Sequence, residues 1–131
     1  MAECYISYKG SVEIENLIEK RKFNFDGYEK LCQRLKNNNA GLSLTTISQI
    51  SPYQTTASVS IALYPVESKY KGVTYITDDW IGYDAERTSN AESNKVYNLT
   101  MDALNNLSKP EKEERLKSML VELSEMRKAM K

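Results

Sequence analysis

Polar and apolar residues alternate most cleanly after Tyr53. Ala57, Val59, Ile61 and Leu63 are apolar, and Ser58 and Ser60 between them are polar. A period of two places alternate side chains on opposite faces of a strand, one buried and one wet. A turn-rich stretch, Pro65 to Gly72, separates this strand from a second β-prone run, Val73 to Tyr83. Two strands across one connection predict a hairpin at the centre of the fold.

Before the hairpin, Cys4, Ile6 and Tyr8 alternate with Tyr5 and Ser7, which predicts a short strand over 3–9. Residues 12–22 satisfy two periods. Val12 and Ile14 continue the strand alternation, whereas Ile14, Leu17 and Ile18 fit a helix, and the Glu- and Lys-rich filling favours the helix. A second helix follows from Tyr28, Leu31, Cys32 and Leu35, spaced i, i+3, i+4, i+7. Asp26 with Glu29 is an acidic relative of the capping box at its start, and the Asn-rich run 37–41 ends it. Leu42 to Ile50 reads as a strand whose apolar phase slips at Ile47, the signature expected of a bulge.

After the hairpin come two helices. Ser89 and Glu92 form a capping box ahead of the stripe Val96, Leu99, Ala103, Leu104, Leu107. Ser108 and Glu111 form another, with Pro110 tolerated in the first turn. The last helix, 109–131, carries Leu116, Met119, Leu120, Leu123, Met126 and Met130 on one stripe and is roughly 30 Å long. Strands and helices fall in blocks rather than alternating. That order predicts an α+β fold: a small, mainly antiparallel sheet of three to four strands packed by helices, ending in an antiparallel helix pair. Val59, Ile61, Leu63, Leu31, Leu35, Leu99 and Leu104 are its expected core.

Length and composition narrow the picture. A chain of 131 residues forms one domain, 1–131, able to bury roughly two-thirds of its unfolded surface. Lys plus Arg and Asp plus Glu both count 18, so there is no overall basic signature of nucleic-acid binding. Two cysteines are too few for a disulfide scaffold, and each sits among apolar neighbours where a buried free thiol is the expected state. No secretory leader opens residues 1–22 and no run reaches the ~20 apolar residues of a membrane span. These features predict a cytoplasmic protein with reduced thiols and no membrane partner.

The histidine count, zero, removes imidazole as base, nucleophile partner or metal ligand. None of the 5 glycines falls in a phosphate-loop or dinucleotide spacing, so no cofactor is expected. Asp78 and Asp79, with Asp84 and Glu86 nearby, form an acidic cluster of the kind that holds Mg²⁺ in small nucleases. Adjacent strand residues point to opposite faces, however, so the cluster is expected to be a solvated strand edge and no metal site is assigned.

Two other groupings are candidate interaction sites. Lys20, Arg21 and Lys22 beside Phe23, with Tyr75 on the hairpin, resemble an aromatic platform with a basic edge for single-stranded nucleic acid. The acidic residues flanking that run weigh against it. The Leu/Met stripe of 109–131 is close to a heptad pattern, and Leu123, Met126 and Met130 lie beyond the reach of a small sheet. With Trp80 and Tyr83 they are the expected protein-binding residues, and the helix is the expected oligomerisation element. The sequence therefore predicts a non-enzymatic, protein-binding accessory or regulatory module, of the inhibitory phage or plasmid kind and homo-oligomeric. A nucleic-acid binder and a small metal-dependent enzyme are the alternatives.

Overall fold

In the computed structural model, which describes residues 4–66 and 72–129, the alternating stretch is an inner strand of a four-stranded sheet. The strands are β1 (Tyr8–Gly10), β2 (Ala40–Ile50), β3 (Thr55–Pro65) and β4 (Asp78–Asp84), and they lie side by side in that order. β3 pairs antiparallel with both β2 and β4, and β1 joins β2 in parallel. The helices are α1 (Val12–Arg21), α2 (Tyr28–Asn37), α3 (Ser89–Leu107) and α4 (Glu113–Ala129), with a 3-10 turn (Pro110–Lys112) before the last. The α+β class, the mostly antiparallel sheet and the long C-terminal helix are as the blocks of periodicity predict.

The sheet is built around β3 because its inward residues are apolar without interruption. Ala57, Val59, Ile61 and Leu63 are buried, next to Leu42 and Leu44 of β2. Onto this face pack Ile14 and Ile18 of α1, Leu31 and Leu35 of α2, Leu99 and Leu104 of α3, and Leu116, Met119 and Leu123 of α4, in one cluster. All seven residues named as core are buried.

β2 and β3 stay in register from Ala40 opposite Pro65 to Ile50 opposite Thr55, so there is no bulge. Ile47 breaks the apolar phase of β2 because it faces the other way. A tight turn at Ser51–Gln54 closes this pair, with the Ser51 hydroxyl donating to the Gln54 carbonyl at 2.9 Å.

Several expectations need correction. The N-terminal strand begins only at Tyr8; before it the backbone joins β2 through the Leu42 amide donating to the Ser7 carbonyl, and side chains hold the rest. The Tyr28 hydroxyl donates to the Cys4 carbonyl at 2.8 Å and accepts from the Ile6 amide. The second hairpin strand begins at Asp78, not Val73. Ahead of it the Tyr75 and Ile76 amides donate to the Glu122 carboxylate on α4, which takes them out of the sheet. The turn predicted at Pro65–Gly72 lies mostly outside the described residues.

None of the three predicted capping boxes forms. α2 starts after Gly27, whose amide donates to the Asn105 side chain at 2.9 Å, and a Cβ there would fall 1.9 Å from the Ser108 hydroxyl. α3 is capped one residue early, by Thr88, whose hydroxyl accepts from the Ala91 amide. The Ser108 hydroxyl turns back to the Asn105 carbonyl.

Cys4 and Cys32 are not free thiols but a disulfide, their Cα atoms 6.1 Å apart. Their separation of 28 residues hides this neighbourhood from a linear reading, since it depends on α2 folding back against the N-terminal segment.

Candidate functional site

Every element described so far covers one side of the sheet. The buried cluster contains no residue from the row Ile47–Ser58–Ile81 or from the row Thr45–Ser60–Asp79, which the strand registers align across β2, β3 and β4. A third row, Gln49–Thr56–Tyr83, lies beyond Ile81. This outward face is open. Ile47 is 67% exposed, Ile81 59% and Tyr83 54%.

Its shape follows from residue size. β3 contributes only Thr56, Ser58 and Ser60 in these rows, while Ile47 and Ile81 stand on the strands to either side. The result is a shallow trough of about 370 Å³ with a serine floor and isoleucine walls. At one end the Tyr64 ring lies flat over Gly41, where a Cβ would come within 2.4 Å of it. Lys9 sits over the same ring at 4.6 Å. Burial holds the Tyr64 hydroxyl pKa above its usual value. Among the described residues, Lys9 and Asp79 are the charged residues of the face, one on β1 and one on β4.

Burial of an isoleucine of this size is worth about 1.5–3 kcal/mol relative to exposure. Two of them in one row of the sheet, on the strands either side of Ser58 and with Tyr83 in the next outward row, are an apolar patch of the kind that marks an interaction surface. The arrangement offers contact area and shape, and it offers little for bond chemistry.

The structure disperses the residues singled out in the sequence. Leu123 is 0% exposed, fully inside the monomer core, and Met126 is half-buried against that core. The stripe of α4 is therefore not a surplus surface over Leu116–Leu123: the sheet and α3 use it. Met130 lies outside the described residues. Trp80 faces inward, its indole N–H donating to the Asp78 carboxylate at 3.2 Å. Of the expected protein-binding residues that are described, only Tyr83 stands on the open face.

Lys20, Arg21 and Lys22 end α1, and Arg21 is engaged by Asn94 at 2.9 Å and by the Tyr97 ring. Phe23 packs in a ring cluster with Tyr8, Phe25 and Tyr28. Tyr75, 96% exposed, lies instead against α4, so the residues of the nucleic-acid alternative do not form one platform.

Asp78 and Asp79 point to opposite faces, as expected of strand neighbours. The buried Asp78 carboxylate is held by Lys112 at 2.9 Å, and the exposed Asp79 accepts from the Thr77 hydroxyl. Among the described residues no group of three or more His, Cys, Asp or Glu is placed to hold a metal ion. Ile47 and Ile81 were missed in the sequence. Their signal was present: each is an apolar residue out of step with its strand's buried parity. Comparison of the chain with protein-family models, with curated proteins and with solved structures gives no match.

Proposed function

We propose that this protein is a non-enzymatic, protein-binding regulatory module and that the open face of its sheet is the binding surface. One observation carries the reading: Ile47 and Ile81 remain 67% and 59% exposed on a face that no helix among the described residues covers, in a chain that buries every inward strand residue from Ala57 to Leu63. The charges favour protein over nucleic acid as the partner. A phosphate backbone calls for several Lys and Arg contacts, and this face presents one lysine with one aspartate.

Among the described residues no helix is long and apolar enough to cross a membrane. The Cys4–Cys32 disulfide supports maturation in an oxidising environment, rather than in the reducing cytoplasm suggested by the cysteine count.

The test is a paired capture from native extract with the wild type and the Ile47→Lys, Ile81→Lys double variant. Both positions are exposed, so each substitution is expected to change stability by no more than about 0.5 kcal/mol. Interactors bound by the wild type and lost by the variant, at unchanged melting temperature, support the reading. A variant that keeps every interactor overturns it.

A further inference from the structure

We infer that the partner seated on the open sheet face is a second copy of this chain, the two sheets stacking face to face about a twofold axis that runs along the strands between β2 and β3. This inference rests on the binding-surface reading above and commits it to one occupant.

The strand order makes the pairing self-complementary. A twofold along the strands lays β2 of one copy over β3 of the other, and β1 over β4. In that arrangement the Ile47 side chain of each copy stands above the Ser58 position of the other, because the two residues share one row of the register. A large residue over a small one, twice by symmetry, is how facing sheets interdigitate at about 10 Å separation. A closed twofold is also the commonest symmetry of soluble homo-oligomers, and its interface uses the same patch on both subunits.

The charges agree with the same axis. Lys9 lies on β1, one outward row from Asp79 on β4, since Lys9 is opposite Ser43 and Thr45 is in the row of Asp79. Laying β1 over β4 brings each Lys9 to within one pleat repeat, about 7 Å along the strand, of the partner copy's Asp79. That offset is within the reach of a lysine side chain. The alternative twofold, across the strands, lays β1 over β1 and β4 over β4. It places like charges on the same edge of the interface and loses the Ile47–Ser58 match.

Area sets the strength. The strands that stack along their whole length are β2 and β3, 11 residues each, which makes the overlap about 34 Å long and about 9.7 Å wide. Roughly 330 Å² of projected sheet per copy, enlarged by the pleats and side chains, sits near the ~1,000 Å² lower bound for a specific interface. An interface of that size belongs with the weak, reversible pairs.

Sedimentation velocity of the full chain from about 1 to about 500 µM tests the inference. The wild type is expected to shift from the 15.0 kDa monomer to twice that mass across the series. The Ile47→Lys, Ile81→Lys variant is expected to stay monomeric at the melting temperature of the wild type. Lys9→Asp and Asp79→Lys are each expected to weaken the dimer about tenfold, and their combination to restore it, which a nonspecific apolar contact does not reproduce. A control on the opposite side of the molecule, Val121→Glu on α4, leaves the dimer intact. A wild type that remains monomeric throughout, or a dimer broken by Val121→Glu and not by the sheet variants, overturns the inference. Loss of self-pairing is separable from loss of the binding-surface reading, which fails only if the double variant also keeps every captured interactor.

Discussion

Leu123→Glu unfolds the protein. Leu123 is fully buried on α4, in the same cluster as Ile61 and Leu63 of the central strand. The substitution removes a leucine whose loss alone costs about 2–5 kcal/mol. It then places a carboxyl group where nothing apolar can satisfy it, a further penalty of roughly 1–3 kcal/mol or more. Together these approach the whole stability of a domain of this size, about 5–15 kcal/mol. The measurement is thermal unfolding by circular dichroism. No cooperative transition near the wild-type temperature is expected, while Val121→Glu, on the exposed side of the same helix, melts within a few degrees of the wild type. A Leu123→Glu protein that folds normally would return this stripe of α4 to the surface.

Breaking the disulfide has the second largest effect. Cys4 and Cys32 close a loop with a sequence separation of 28, and the chain-entropy relation for a loop of that length gives about 3.6 kcal/mol. The other fastenings of the N-terminal segment include the two Tyr28 hydroxyl contacts to Cys4 and Ile6, the amide of Leu42 donating to the Ser7 carbonyl, and a strand of three residues. The Cys4→Ala, Cys32→Ala variant is therefore expected to melt roughly 10 °C lower than the wild type. Reductant lowers the wild-type melting temperature toward that of the variant and leaves the variant unmoved. Native protein in which both thiols react with an alkylating reagent without prior reduction would contradict the bond.

Local periodicity exposed most of the architecture and little of the site. Ala57 through Leu63 alternate because β3 is inner to the sheet with one helix-covered face, and the i, i+3, i+4 spacing of Tyr28, Leu31, Cys32 and Leu35 does mark a helix. What failed were statements about who meets whom. Helix starts were misplaced where tertiary partners supplied the cap, as Asn105 does for Gly27. The disulfide needed the fold of α2 on the N-terminal segment. The stripe of α4 was read as surplus because the sequence does not say how much of a sheet one helix covers. The open face was hidden for a related reason. Ile47 looked like a fault in the β2 pattern, and only its row-mate Ile81 across two strand registers turns it into a feature.

Helices cover one side of this sheet and leave Ile47, Ile81 and Tyr83 exposed on the other. Carbene footprinting at two protein concentrations, about 1 µM and a few hundred µM, tests this arrangement most directly. Ile47, Ile81 and Tyr83 are expected to be labelled at the low concentration and Ile47 protected at the high one, with Val59 and Leu123 unlabelled in both. Labelling of Val59 or Leu123 in dilute folded protein, or Ile47 and Ile81 unlabelled there, would contradict that arrangement.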